Sequence, residues 1–349
     1  MITIDARTLR EPNPTGVTEV ARQCIAHIIQ AYPDSRLFTG DTVRSDTISN
    51  VSLLLRLTTI ERQACVFNEP SVVFLPNTHF IHTERGNVQV RVVHDLSFAH
   101  APQWYAPRVR LWHRAAHAVS GLHEADFLIA VSEWTKRDLV EFLHIPEERV
   151  QVVHPATPRP QGGARPTNLP LKNEPYFLFL GTLEKRKNVR GVVEAFEKIK
   201  MLPALRDHHL VLAGRIGFGG PSAHALPERV HQLPYTSIPE KWWLLKHAAA
   251  LVYPSFSEGF GLPPLEAAAV GCPTIISDCT AVRETMGDAS LQVSPYDISQ
   301  IAMAMEAIVC ERQLTSVLKI RGFERAAWYS AERQRSALLT VLERAHAAL

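Results

Sequence analysis

Long apolar runs are missing from this sequence, and none approaches the roughly 18–20 residues that a bilayer-spanning helix needs. The opening stretch MITIDARTLREPNPTG puts Asp5 and Arg7 where a secretory leader would be apolar, so the chain reads as cytoplasmic. Cysteine is scarce. The five residues Cys24, Cys65, Cys272, Cys279 and Cys310 form no CxxC, and no histidine pattern accompanies the Cys272/Cys279 spacing. A disulfide framework and a zinc ribbon are disfavoured, which leaves reduced, mostly buried thiols. No excess of one charge exists either. The 37 Lys+Arg against 35 Asp+Glu argue against a surface built to grip nucleic acid, although a local basic patch stays open. The first strand is not followed by GxGxxG with a later acid, which disfavours a nicotinamide dehydrogenase. Asp-x-Asp, short repeats and low-complexity tracts are absent as well.

What is present fits a soluble α/β protein. The 349 residues suggest two domains, and 46% hydrophobic with 21% charged residues is ordinary globular composition. Short runs, apolar on both faces, read as buried parallel strands: Ile2–Ile4, Val72–Leu75, Val90–Val93, Phe127–Val131, Val150–Val153, Tyr176–Leu180, His209–Ala213, Ala250–Tyr253 and Thr274–Ile276. Amphipathic helices alternate with them at Thr15–Tyr32, Glu133–Leu143, Asn188–Leu202, Pro239–Ala249 and Pro264–Val270. His154–Pro175 holds six prolines and two glycines in 22 residues, a linker composition. The division is therefore expected as residues 1–155, a hinge at 156–174, and residues 175–328. The end of the chain reads as helical, with Arg321-Gly322-Phe323 and Trp328-Tyr329-Ser330 as breaks. A last helix over 329–349 would cap the second domain or return to the first.

Two segments carry chemistry. In Ser255–Ile275, SFSEGFGLPPLEAAAVGCPTI, a glycine-rich turn precedes Pro263-Pro264 at a helix start. Unpaired N–H groups and the positive helix end suit a phosphate or sugar oxygen. Glu258 would stand in the loop and Glu266 in the first helical turn, facing a ribose diol. The same residues also suit an ordinary strand–turn–helix link with two solvated carboxylates. In Phe177–Phe196, a strand ends at Gly181, and Lys185, Arg186 and Lys187 precede a helix. Cations at the carboxyl edge of a parallel sheet suit a diphosphate. A solvated charged turn is the alternative, and Lys185 is its natural solvated member.

Together, LGTLEKRKN and SEGFGLPPLEAAAVGCP resemble the retaining glycosyltransferases of family 4, which have the GT-B fold. The second segment holds that family's Glu-x7-Glu pattern. IDARTL, PTGVTEVAR, FLPNTHF, VVHDLSF, AVSEWTKRDLVEFLHIPEERVQVVHPAT and VRETMGDASLQVSPYD resemble further family segments in the correct order. HDLSF, GTLEKRKN and LVYPS are similar to mannosyltransferase-type members of bacterial surface-polysaccharide pathways.

The resemblance implies two Rossmann-like doubly wound domains facing a central cleft and closing over the donor. It implies that Arg186 and Lys187 hold the donor diphosphate. It puts Glu258 beside the transferred sugar and Glu266 on the ribose. Backbone amides of Gly259, Phe260, Gly261 and Leu262 would face the sugar and phosphate. His94 would face the donor sugar from the first domain, and Gly16 would allow close approach of backbone to donor or acceptor. Glu258, His94, Arg186 and Lys187 form the expected catalytic set.

GDP-mannose is the expected donor and UDP-glucose the second, with a glycan or lipid-linked glycan as acceptor and no metal or other cofactor. No carboxylate nucleophile can be nominated, so front-face attack is expected. The chain departs from many relatives at Val17-Thr18-Glu19, where an arginine or second glycine is common, and at Thr182, where some carry arginine. Acceptor contacts at Thr18 and Glu19 are therefore not carried over.

Trp104, Tyr105, Arg108, Arg110, Trp112 and Arg114 lie in a stretch with no acid between Asp95 and Glu124. Basic and aromatic residues together suit peripheral contact with an anionic membrane, while an ordinary helix that exposes its arginines is the alternative. The rival activities are another GT-B chemistry, such as a nucleotide-sugar epimerase or a phosphorylase, and a catalytically silent nucleotide-sugar-binding protein.

Overall fold

A computed structural model describes residues 1–10, 15–38, 64–65, 70–77, 82–83, 86–115, 118–220, 226–234 and 236–349. The chain divides into two compact units, Met1–Ala156 with Ala331–Leu349, and Thr157–Ser330. Both are α/β.

In the first unit the strands are β1 (Ile2–Asp5), β2 (Arg36–Phe38), β3 (Ala64–Cys65), β4 (Val72–Leu75), β5 (His82–Thr83), β6 (Val88–Val93), β7 (Phe127–Ala130) and β8 (Val150–Val152). Six of them form one sheet in the order β2-β1-β4-β6-β7-β8, and β3 pairs with β5 separately. Every pairing is parallel. Helix α1 (Gly16–Ala31) buries Val20, Ala21, Cys24, Ile25 and Ile28, the spacing of one helical face. Helix α2 (Pro107–Ala115) carries the basic stretch. Helix α3 (Glu133–Arg137) is capped by Ser132, whose hydroxyl accepts from the Thr135 amide.

The second unit holds β9 (Tyr176–Leu180), β10 (His209–Ala213), β11 (Val230–Leu233), β12 (Ala250–Tyr253), β13 (Thr274–Ser277) and β14 (Leu291–Val293). Their order is β11-β10-β9-β12-β13-β14, all parallel. This is the doubly wound Rossmann order, with the reversal between β9 and β12. Its helices are α4 (Val189–Ile199), α5 (Ile238–His247), α6 (Leu262–Ala269), α7 (Ala281–Met286), α8 (Ile298–Cys310) and α9 (Arg312–Trp328). The middle strands β9, β12 and β13 are buried along their whole length, as their unbroken apolar runs require.

Three features differ from the sequence-based expectations. The strands β2, β11 and β14 carry no continuous apolar run because each is a sheet edge, so one side escapes burial. Gly322 does not break a helix; α9 runs through it, and a Cβ there would sit 3.4 Å from the Ala268 Cβ. The glycine lets α9 lie close against α6. Residues 157–174, within the stretch expected as a hinge at 156–174, make fixed contacts with the second unit. Thr157 is bonded through its amide to the Tyr329 carbonyl and through its hydroxyl to the Ala326 carbonyl, both at 2.8 Å. Leu169 and Leu171 are buried, and the Arg165 guanidinium lies over the Trp243 ring. The buried apolar side chains of this stretch anchor it on the second unit.

The last helix, α10 (Ala331–Ala347), belongs to the first unit. It packs on α1, β4, β6 and β7 through Leu338, Val341, Leu342 and Ala345, all fully buried. Among the described residues, no helix is long and apolar enough to cross a membrane.

Candidate active site

In an open parallel sheet, ligands bind beyond the carboxyl ends of the strands where the strand order reverses. In the second unit two segments emerge there. One follows β9 and leads through Gly181 to α4. The other follows β12 and leads through Glu258 to α6.

The first segment is held by its neighbours. The Leu183 amide donates to the Arg215 carbonyl (2.9 Å), and the Gly217 and Lys185 amides bond the Leu183 and Phe218 carbonyls (2.8 and 3.0 Å). The glycine-rich stretch Leu212–Gly220 therefore braces the basic turn. Asn188 has left-handed backbone (φ 56°), and its side-chain amide donates to the carbonyls of Pro254 (3.2 Å) and Pro295 (2.7 Å). These bonds tie the basic turn to the segment after β12. Within the turn Lys185 faces solvent, while the Arg186 and Lys187 side chains are each only 12% exposed.

Both buried cations meet Glu258. Lys187 Nζ lies 2.8 Å from Glu258 Oε1, and Arg186 Nη1 lies 3.4 Å from Oε2. The Tyr253 hydroxyl donates to Oε1 (2.9 Å) and accepts from Lys187. Arg186 is further fixed by the Ser257 carbonyl (2.6 Å) and the Glu184 carboxylate (2.9 Å). Burial alone would raise the Glu258 pKa. Lys187, Arg186 and the hydrogen bonds from Lys187 and Tyr253 outweigh it and hold the carboxyl at about 2. Burial and the neighbouring Glu258 push the Tyr253 phenol well above its ordinary value, so it stays protonated.

The segment after Glu258 is shaped by Gly261. Its φ is +97°, and a Cβ there would lie 2.5 Å from Val282 Cγ1. Only glycine fits without displacement. Leu262 opens α6, and Pro263 and Pro264 follow where amide donors would otherwise be orphaned. The Phe260 ring is buried edge-on against Tyr329, and its carbonyl accepts from the Thr285 hydroxyl (2.6 Å). Phe260 thus holds the turn by packing. Gly259 lies in the same turn, between Glu258 and Phe260.

Glu266 stands in the second turn of α6 rather than the first, because the helix starts at Leu262, two residues earlier than expected. Its carboxylate is 7% exposed and lies 2.5 Å from Lys241 Nζ on α5.

His94 and Gly16 belong to the first unit. His94 follows β6, and its Nε2–H donates to the Pro76 carbonyl (2.9 Å). Burial lowers its pKa, which favours the neutral ring. Gly16 is the first residue of α1, exposed, beside the Thr15 cap whose amide donates to Thr18 Oγ1 (3.1 Å). Asp95 accepts from the Ser97 amide (3.0 Å), a local turn bond. Arg108, Arg110 and Arg114 are exposed on α2, and Leu111 between them is 51% exposed. Trp104 is half-buried, and the Trp112 side chain lies outside the described residues. Among the described residues, no group of three or more His, Cys, Asp or Glu side chains is arranged to hold a metal ion.

Residues 164–325 match the family model for glycosyl transferases group 1, and residues 49–158 match that for Glycosyltransferase Family 4. The chain is a glycosyltransferase that carries a family 4 domain and a group 1 domain. This glycosyltransferase is 28% identical over 291 residues to O-antigen chain mannosyltransferase B of Escherichia coli, covering 79% of its own length and 76% of that protein. It is also similar, at 27% identity, to the serotype-specific mannosyltransferase WbdA of Escherichia coli, but spans only 27% of that longer protein. Among solved structures, a sucrose-phosphate synthase from Thermosynechococcus elongatus shares the fold with a TM-score of 0.75 at 16% identity, covering 100% of this chain and 99% of that one. HepE of Anabaena in complex with UDP-glucose gives 0.69 at 14% identity, with 98% and 99% covered. The paired sheets are thus those of the GT-B architecture.

Within the second unit, the structure brings Arg186, Lys187 and Glu258 into one cluster and leaves Glu266 in a second, with Lys241. Three participants escaped the sequence. Tyr253 was legible only as the last residue of a strand, although that position borders the switch point. Glu184 lies two residues from its partner Arg186 but carried no pattern of its own, and Lys241 gave no signal, since only the fold sets Glu266 beside it.

Proposed function

We propose that this glycosyltransferase moves a hexose onto a glycan or lipid-linked glycan acceptor with retention of anomeric configuration. GDP-mannose is the favoured donor and UDP-glucose the second. The observation that carries this reading is the buried Arg186–Lys187–Glu258 cluster at the switch point, where two cations and a carboxylate meet beyond the ends of β9 and β12. The likeness to a protein named as an O-antigen mannosyltransferase supports mannose, and HepE bound to UDP-glucose supports the alternative donor.

In this reading the donor diphosphate takes Lys187 and Arg186 as its counter-ions. The bond from the anomeric carbon to the phosphate oxygen breaks, and the cations stabilise the charge that develops on the departing nucleoside diphosphate. The acceptor hydroxyl attacks from the same face, its proton passes to the departing phosphate oxygen, and the new glycosidic bond keeps the original configuration. Glu258, held ionised, orients sugar hydroxyls, and Glu266 takes the ribose diol. Arg186 and Lys187 supply the positive charge that a divalent cation provides in other designs. The exposed arginines and Leu111 of α2 would rest on an anionic membrane surface at its cytoplasmic face, close to a lipid-linked acceptor.

Purified protein incubated with GDP-mannose, UDP-glucose and ADP-glucose tests the function by thermal shift and nucleotide release. Stabilisation and release with GDP-mannose are expected. Absence of both with every donor contradicts the proposal, and a response confined to UDP-glucose moves it to the second donor.

A further inference from the structure

Tyr253 is the last residue of β12 and is fully buried. Its ring stacks on Phe179, with centroids 6.0 Å apart and planes at 21°. Phenylalanine would fill that space equally well. The hydroxyl has other business. It accepts from Lys187 Nζ and donates to Glu258 Oε1, while Lys187 itself reaches the same oxygen at 2.8 Å. The phenol, the ammonium and the carboxylate close a triangle.

The charges in this cluster neutralise one another. Lys187 and Arg186, the counter-ions proposed for a diphosphate, already face Glu258. Arg186 gives its short contacts to Ser257 and Glu184 and stands 3.4 Å from Glu258. When a diphosphate draws Lys187 away, Glu258 keeps the Tyr253 hydroxyl and the guanidinium at 3.4 Å, which the diphosphate also attracts. A buried carboxylate that loses its cation tends to take up a proton or to swing away.

We propose that Tyr253 is a positioning residue for Glu258, holding the carboxylate ionised and aimed at the donor sugar while Lys187 turns to the diphosphate. This inference rests on the proposed glycosyl transfer and deepens it. The phenol suits the task because burial keeps it protonated, so it remains a donor throughout. The groups that face Glu258 are Arg186 and Lys187 from the basic turn, with Glu184 behind Arg186, and Tyr253 from β12.

The test is Tyr253→Phe, read by donor kinetics as a function of pH and by melting temperature. Loss of a hydrogen bond to a charged group predicts a fall in kcat of about tenfold or more. The donor KM should stay within about threefold, because the diphosphate contacts are untouched. The acid limb of kcat should move up by about one pH unit or more, since donor-bound Glu258 then protonates more readily. A melting temperature near wild type with these changes supports the proposal. An unmoved acid limb overturns it, whether or not stability falls, because a purely structural tyrosine alters stability alone.

If the Phe variant does not fold, 3-fluorotyrosine placed at position 253 carries the test. It keeps the hydroxyl and makes it a stronger donor, so the acid limb should move down; an unmoved or rising limb overturns the proposal. A wild type without turnover on any nucleotide sugar overturns the functional reading and this inference together. An active wild type with an unmoved variant overturns this inference alone.

Discussion

Replacing Glu258 by glutamine removes the titrating group and keeps its shape, which makes the energy of the buried cluster measurable. The carboxyl falls from 4.5 to about 2 on folding. At about 1.4 kcal/mol per pH unit, that difference contributes about 3 kcal/mol at neutral pH. The sign follows from a folded pKa below the unfolded one. The contribution is complete above 4.5 and is lost as pH falls towards 2. Linkage gives about 1 kcal/mol remaining at pH 3, so the advantage of wild type over Glu258→Gln should shrink by about 2 kcal/mol between pH 7 and pH 3. Urea unfolding followed by tryptophan fluorescence measures it, since Trp242 is buried in the same unit. Comparing the two proteins at each pH cancels the other carboxylates. A difference that stays constant, or grows on acidification, would refute the account of Glu258 as a carboxylate held ionised by Lys187 and Arg186.

Lys187→Ala and Glu258→Ala should each lower the transfer rate by about a hundredfold or more, the scale for removing a group that meets developing charge; near-wild-type turnover in both would remove the site assignment. Activity should persist in EDTA because the cluster supplies its own cations, and a loss beyond about tenfold would contradict that. Gly261→Ala must adopt a positive φ and push Val282 aside, so it should lower the melting temperature and abolish donor binding; a stable, binding variant would show that the turn is not fixed. Liposomes rich in anionic lipid should co-sediment wild type more than a variant with Arg108, Arg110 and Arg114 changed to glutamine, with the difference fading in high salt. Equal binding by both proteins sinks the membrane contact.

Much of the fold is legible in the sequence. Strands such as Tyr176–Leu180 and Ala250–Tyr253 announce themselves because a central parallel strand is apolar on both faces. The edges β2, β11 and β14 do not, because half their surface meets solvent or a loop. The basic turn and the Glu258 loop were legible because their chemistry sits in contiguous residues at strand ends. Their pairing was not, since Lys187 and Glu258 are 71 residues apart. Local pattern likewise misjudged Gly322, where the glycine serves contact between helices. Lys241 and Tyr253 acquire roles only from what the fold sets beside them, and neither position carries a pattern of its own.

The most direct test is the configuration of the first product. Protein supplied with GDP-α-mannose and a mannosyl acceptor, followed by proton NMR at early times, reports transfer and stereochemistry together. An α-mannoside formed with release of GDP is the predicted result. A β-linked product, or no transferred hexose while the folded protein binds the donor, would contradict the account.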